Sequence, residues 1–142
     1  PANVGWLSVE NAWNLLDYKL DLKTSANVFQ GGTLNAFGIY TFNTSLKLFK
    51  DFGFDNIQSE VLSNTKYFIE KLKSIGMDCV MSNYDYQELA GIVTIKPEDP
   101  EKVFKGLEKK KIFCSLREGF IRFSPHFYNS HYEIDKVIEE LR

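Results

Sequence analysis

The most constraining feature of this sequence is a long helix-like run, residues 33–52, whose apolar side chains do not keep to one side. Thr33 fits an N-cap and Gly53 fits a stop signal. Large apolar residues crowd more than one face of the predicted helix: Phe37, Tyr40, Phe42, Leu46 and Phe49. A helix that is apolar nearly all round needs burial on several sides. In a chain of 142 residues, that need predicts a partner surface outside the chain.

The remaining pattern alternates helices with short strands. A period of 3.6 residues predicts a second helix that Asp55 begins and Gly76 ends. A third helix follows Asp99, and a last one follows the capping box of Ser130 and Glu133. Strand-like runs lie at 78–81, 90–95, 112–115 and 119–124, the last two joined at 117–119.

This order predicts an α+β fold, with a small, mostly antiparallel sheet and helices packed on one face. Residues 1–32 show no clear periodic element, and we expect Trp6 and Trp13 to anchor this segment. We therefore divide the chain into an irregular linking segment, 1–32, and a small α+β domain, 33–142. The chain begins without Met, as a segment cut from something longer would.

Composition argues against several classes of function. The net charge of -2 and the scattered lysines leave no basic footprint for nucleic acid. No apolar stretch reaches membrane-spanning length, and the first residues do not resemble a signal peptide. Cys79 and Cys114 do not form a disulfide framework, so we expect reduced thiols and a cytoplasmic location. His126 and His131 are not at metal-ligand spacing with either cysteine, which predicts no metal site.

The first candidate site is Gly31-Gly32-Thr33, directly before the predicted helix. Glycines let an anion approach backbone N–H groups, and a helix start offers unpaired donors to a phosphate. The Thr33 hydroxyl adds one more donor. On spacing alone, a simple glycine turn capped by Thr33 is the more common explanation.

The second candidate is Arg122, which lies within an otherwise apolar strand. An unpaired charge there is costly, and a bidentate carboxylate is the usual partner of an arginine. From the residues alone, we favour an internal salt bridge slightly over a bound amino or keto acid.

Other reactive side chains do not add up to a catalytic set. His126 could act as a base but is more often structural in such a loop. Cys114 lies in a predicted strand away from any helix N-terminus, so an inert thiol is expected. Arg117 sits at the hairpin turn, either solvated or paired with a nearby acid. We therefore assign no catalytic residue in this chain.

Four stretches, 5–11, 29–35, 115–130 and 133–135, resemble in order and spacing the C-terminal part of class V aminotransferases. This pyridoxal-phosphate family includes cysteine desulfurases, kynureninase and isopenicillin-N-epimerase-like proteins. The resemblance implies the small C-terminal domain of a fold-type-I enzyme, preceded by its link to the large domain. It also implies that Gly32 and Thr33 contact the cofactor phosphate of the other subunit. The arginine at position 122 would hold the α-carboxylate of an amino-acid substrate.

The sequence departs from the family pattern at several positions. Val28, Gln30 and Leu34 replace residues that are often Arg, acidic and Pro in relatives, which predicts altered phosphate binding. The tight hairpin between Cys114 and Arg122 has no room for the cysteine-bearing loop of desulfurases. This favours an aminotransferase- or epimerase-like parent over a cysteine desulfurase.

The family's Schiff-base lysine and pyridine-binding aspartate belong to the large domain, before residue 1. Alone, the chain should therefore be catalytically silent and should not bind pyridoxal phosphate stably. The expected partners are the large domain of the same parent chain, a second copy in a homodimer, and an amino-acid substrate. The alternative is a free-standing, non-catalytic binding or interaction domain, which predicts that the helix of residues 33–52 is fully covered.

Overall fold

The computed structural model of the chain describes residues 3–142 and divides them into two compact units. The first unit ends at Leu48, and the second spans Phe49–Arg142. The described residues form four α-helices: α1, Ala36–Phe52; α2, Phe54–Ser74; α3, Pro100–Lys109; and α4, His131–Glu140. They also form three strands: β1, Val93–Ile95; β2, Ser115–Arg117; and β3, Phe120–Phe123. The predicted α+β class is therefore confirmed.

The sheet of the second unit is antiparallel throughout, with the order β1-β3-β2. β2 and β3 form a hairpin in which Arg117 pairs with Phe120 across Glu118 and Gly119. Both turn residues have positive φ, 50° and 81°, as a type I′ turn requires. The turn predicted at 117–119 is confirmed, and it fixes the register of the hairpin.

One face of this sheet carries the hydrophobic core. Ile121 and Phe123 of β3 point to it together with Val93 and Ile95 of β1, as the alternation of the strands dictates. Three helices contribute the opposing side chains: Phe68, Ile69 and Leu72 from α2, Leu107 from α3, and Ile134 and Ile138 from α4. The three helices therefore pack on one face of the sheet.

Two helix signals in the sequence hold as expected. The Asp99 side chain accepts a hydrogen bond from the Lys102 amide (3.0 Å) at the start of α3, where Pro100 is the first residue. Ser130 and Glu133 form the predicted capping box of α4. Both caps satisfy N–H groups that have no partner within a helix.

Other element boundaries differ from those predicted. α1 begins at Ala36, not at Thr33, because the Asn35 side chain accepts the Gly38 amide (2.9 Å) and caps the helix. α2 begins at Phe54, directly after Gly53, so Asp55 lies in its first turn instead of capping it. Gly53 adopts a φ of 96° and lets the second helix follow the first with no loop.

The strand predictions were also wrong in extent, and β1 begins three residues later than the predicted run at 90–95. The run at 78–81 forms only an isolated bridge between Cys79 and Ile95, since the Ser82 hydroxyl accepts the Cys79 amide and turns the chain. β2 begins three residues later than predicted because the Ile112 amide bonds to the Leu107 carbonyl (2.9 Å) and completes the end of α3.

Most of α1 is exposed in the described part of the chain, although Phe49 near its end stacks against His126. None of its residues is buried, and Phe37 and Tyr40 are 80% and 74% exposed. The full coverage that the free-standing alternative predicts is absent from residues 3–142. The partner surface expected for this helix remains a prediction.

Candidate functional site

Arg122 lies on the central strand of the sheet, on the face opposite the core. Its neighbours in the strand, Ile121 and Phe123, are buried in the core, so alternation directs the arginine side chain the other way. The residue is half-buried. Between residues 3 and 142, its guanidinium forms no ion pair, so the internal salt bridge favoured from the sequence is not present.

Two hydroxyl residues flank Arg122 in register. Thr94 of β1 and Ser115 of β2 both pair directly with it, which places all three side chains on the same face. Neither hydroxyl has a hydrogen-bond partner in the described part of the chain. We call the set formed by Thr94, Arg122 and Ser115 the arginine row. It offers an open guanidinium between two free hydroxyls, a donor set that suits a carboxylate.

A second row lies one step along the strands. Phe120 pairs with Arg117 of β2, and the same register places Lys96 opposite it on the β1 side. The Lys96 Nζ lies 5.4 Å from the centre of the Phe120 ring, which confirms that they share a face. We name Lys96, Phe120 and Arg117 the outer row. Both cations are exposed.

These flanking residues were missed by the sequence analysis. The tight turn at Glu118 and Gly119 could have placed Ser115 beside Arg122, because a two-residue hairpin fixes its register. The apolar neighbours of Thr94 also indicate that it faces away from the core. The pairing of β1 with β3, however, has no local signal in the sequence.

The Gly31-Gly32-Thr33 segment belongs to the first unit and precedes α1. In the part of the chain that the structure describes, the backbone N–H groups of these three residues make no hydrogen bond. The Thr33 hydroxyl likewise has no partner among residues 3–142, and Thr33 is exposed. The segment thus presents a short series of free donors, which a phosphate could accept.

Neither glycine of the pair is required by packing within this chain. A Cβ at Gly5 would overlap the Gly31 carbonyl, so the backbones of Gly5 and Gly31 touch and the approach is structural. A Cβ at Gly32 would lie 3.6 Å from Trp6 Nε1, an ordinary contact. A Cβ at Gly31 would also meet only an ordinary contact, 3.9 Å from Gly5, so packing within this chain explains the glycine at position 5 but requires none at position 31 or 32.

His126 is held as a structural residue. Its amide donates to the Asn129 side chain (2.8 Å), and its carbonyl accepts from the Asn64 side chain (3.0 Å). The imidazole stacks against Phe49 and Tyr128, at centroid distances of 6.0 and 5.0 Å. Its Nδ1 is buried without a hydrogen-bond partner among the described residues. The preference for a structural histidine agrees with this setting.

The two thiols are free and stand in apolar surroundings. Cys79 is buried in the core, and Cys114 packs against it. Burial raises the pKa of the Cys114 thiol, and the negative charge of Glu108 adds to the effect. A raised pKa leaves less thiolate at neutral pH, which is the opposite of an activated nucleophile.

Residues 3–142 contain neither a metal-binding cluster nor a membrane-spanning helix. Clusters of three or more side chains able to hold a metal ion do not occur there. Every helix in this part of the chain is too short or too polar to cross a membrane.

This α+β fold is that of the small domain of fold-type-I pyridoxal-phosphate enzymes. The sequence model of the family "Aminotransferase class-V" matches residues 14–137, and the chain belongs to that family.

Two curated relatives are similar in sequence. The uncharacterized aminotransferase YcbU of Bacillus subtilis (strain 168) is 29% identical over 116 residues, covering 82% of this chain and 31% of that protein. A probable cysteine desulfurase of Ureaplasma parvum serovar 3 is 29% identical over 129 residues, covering 80% of this chain and 31% of that protein.

Solved structures agree on the fold. The apo cysteine desulfurase of Thermococcus onnurineus NA1 matches 99% of this chain with a TM-score of 0.86 and 19% identity. The cystine C-S lyase C-DES, solved with cysteine persulfide, matches 99% with a TM-score of 0.83 and 16% identity. The chain spans 38% of each of these two proteins. The predicted fold-type-I small domain is therefore confirmed.

Proposed function

We propose that this chain is the small, C-terminal domain of a dimeric pyridoxal-phosphate enzyme that acts on an amino acid. The observation that carries the proposal is the open guanidinium of Arg122, half-buried on the face of the sheet opposite the core. A charge in that position needs an anionic partner, and the described chain supplies none. The α-carboxylate of the substrate is that partner.

Arg122 binds the carboxylate through two parallel N–H···O bonds, and Thr94 and Ser115 stand where their hydroxyls add further donors. Held in this way, the substrate has one orientation relative to the sheet, which is what a positioned reaction needs. Pyridoxal phosphate, when bound, supplies the electron sink for chemistry at the α-carbon. The chain thus contributes binding and orientation, while the family's cofactor lysine belongs to the large domain.

The free donors of Gly32 and Thr33 fit the cofactor phosphate. We propose that they reach the phosphate held by the partner subunit in the homodimer. Backbone N–H groups that have no partner within the chain can donate to an anion, and the Thr33 hydroxyl adds a donor. The departures at Gln30 and Leu34 leave this contact with fewer of the family's usual side chains.

The uncovered α1 supports a large partner domain. Its exposed aromatic side chains form a surface that a free-standing soluble domain would keep covered. The match covers 31% of each curated relative, so most of each relative lies outside the matched region. A free-standing binding domain remains the alternative, and the intact mass of the natural polypeptide separates the two. A mass well above that of this chain supports the parent enzyme; a mass equal to it supports the alternative.

The role of Arg122 is tested in the full-length protein loaded with pyridoxal phosphate. Arg122→Ala should weaken binding of an amino-acid carboxylate by about 2–3 kcal/mol, roughly 30- to 150-fold in affinity. Arg122→Lys should recover only part of this, because lysine keeps the charge but not the fork. Lys105→Gln on the exposed side of α3 is the matched control. Unchanged carboxylate affinity in Arg122→Ala would remove the residue from the site.

The phosphate contact is tested at Gly32 and Thr33. Gly32→Ala has room for its methyl group within this chain, so the variant should fold normally. If the cofactor phosphate approaches there, Gly32→Ala and Thr33→Ala should both raise the dissociation constant for pyridoxal phosphate. Wild-type cofactor affinity in both variants would argue against the contact.

A further inference from the structure

We propose that the amino-acid substrate carries a second anionic group, which Arg117 and Lys96 hold on the outer row of the sheet. This inference rests on the proposed role of Arg122 and narrows it to a substrate class. The arginine row takes the α-carboxylate, and the outer row takes the anion at the end of the substrate side chain.

The argument begins with the face on which the cations lie. In β2, Arg117 follows Ser115 by two residues, and in β3 Phe120 precedes Arg122 by two residues. Side chains two residues apart in a strand share a face, so Arg117 and Phe120 lie on the face of Arg122. The register between β1 and β3 places Lys96 there as well. Three cations therefore occupy one small face of the sheet.

These cations are not neutralised by the chain. None of the three ion pairs found in residues 3–142 involves Lys96, Arg117 or Arg122. Two acids lie near the outer row: Asp78, which the Cys79–Ile95 bridge places opposite Lys96, and Glu118 in the turn beside Arg117. Neither forms an ion pair with those cations. Like charges on one face repel unless anions bind among them.

The spacing matches a dianionic amino acid. Neighbouring rows of one sheet face are about 7 Å apart along a strand, because each residue advances about 3.4 Å. Two anionic groups joined by a few methylenes lie closer together than the two rows do. The flexible lysine and arginine side chains can lean along the sheet and reach both groups. Phe120 lies between the two outer cations and next to Arg122 in the strand. Its ring offers an apolar floor for the methylenes that join the two anionic groups.

The chemistry of the outer row does not by itself separate a carboxylate from a phosphate or phosphonate. The guanidinium of Arg117 can bind either in a bidentate manner, and the Lys96 ammonium acts as a point charge for both. What the outer row recognises is a second anion at the far end of a short side chain.

The test measures equilibrium binding by calorimetry to the full-length protein loaded with pyridoxal phosphate. The probes are glutarate and pentanoate, which have the same carbon chain but differ in the second carboxylate. Glutarate should bind about tenfold or more tightly than pentanoate. Arg117→Gln should remove most of this difference while leaving pentanoate affinity unchanged, and Lys96→Gln should reduce it. 3-Phosphonopropionate, used in the same way, tells which second anion binds more tightly.

The controls separate this inference from the proposed function. Arg122→Gln should weaken both probes; if it weakens neither, the proposed function itself fails. Equal binding of glutarate and pentanoate by the wild type would overturn the second-anion site alone. So would a result in which Arg117→Gln and Lys96→Gln each change the affinity for the two probes by the same factor. Retained pentanoate binding shows that a variant is folded, and Arg117→Lys should recover part of the preference. Should Arg117→Gln fail to fold, the same comparison in Lys96→Gln decides.

Discussion

The Asn64 side chain of α2 donates a 3.0 Å hydrogen bond to the backbone carbonyl of His126, in the loop between β3 and α4. The same amide group donates to the Asn129 carbonyl (2.9 Å), and Asn64 is 2% exposed. Asn129 in turn accepts the His126 amide with its side chain. One buried amide therefore fixes the turn that follows the strand of Arg122.

Asn64→Ala should destabilise the fold by about 2–3 kcal/mol, because two buried carbonyls lose their donor. Asn64→Asp should cost at least as much, since it places a carboxylate against those carbonyls. Chemical denaturation of the purified protein measures both changes in stability. The control is Asn56→Ala, which removes only an exposed hydrogen bond from the Asn56 side chain to the Phe52 carbonyl. A loss equal to that of the control would mean that the loop holds its shape without Asn64.

The β2–β3 turn offers a stabilising substitution. Glu118 adopts a φ of 50°, a conformation that is unfavourable for most side chains and well tolerated by asparagine. Glu118→Asn should therefore stabilise the fold by about 0.5–1 kcal/mol. Gly119→Ala, at a φ of 81°, should destabilise it by about 1–2 kcal/mol. Denaturation midpoints check both signs, and a gain in stability from Gly119→Ala would contradict the type I′ turn.

The contact between α2 and α4 should depend on pH. The Tyr67 hydroxyl and then the Lys71 ammonium hold the pKa of Asp135 below its usual value. The Tyr67 side chain and then Asp135 raise the pKa of Lys71.

The two shifts set opposite limits. The contribution of Asp135 is present above the usual carboxyl pKa and is lost as pH falls through its lowered folded value. That of Lys71 is present below the usual amine pKa and is lost as pH rises through its raised folded value. Asp135→Asn should therefore destabilise the protein near neutral pH and have a shrinking effect in acid. Denaturation midpoints across pH test this, and a difference that grows in acid would have the wrong sign.

Cys114 should react slowly in the folded protein. Burial raises the pKa of its thiol, so less thiolate is present at neutral pH than in a free cysteine. Iodoacetamide labelling followed by mass spectrometry should give a lower rate than in the unfolded chain, with a further rise in rate as pH increases. In the Cys114→Ser variant, any labelling that remains comes from Cys79, so the difference from the wild type belongs to Cys114. Labelling faster than a free thiol would revive a cysteine-based reaction of the desulfurase type.

Much of the fold follows from local signals. The cap of Asp99, the capping box of Ser130 and Glu133, and the turn at Glu118 and Gly119 each depend on residues a few positions apart. The errors came where two local signals competed. Thr33 precedes an apolar run and fits a cap, but Asn35 lies closer and its side chain takes the Gly38 amide. Ile112 fits a strand, but its N–H group donates to the Leu107 carbonyl at the end of α3 and is therefore not available to the sheet.

The candidate site, like the fold, has features that the sequence predicts and features that it does not. By itself, the sequence determined the class of fold, the hairpin that carries Arg122, and the family resemblance of its flanking motif. Those depend on alternation and short spacing, which a linear chain displays directly. Only the tertiary structure decided that Arg122 has no carboxylate partner among residues 3–142, that Thr94 pairs with it, and that Lys96 lies on the same face beside Phe120. That pairing joins residues far apart in sequence, and its energy arises from packing and burial that no local pattern encodes.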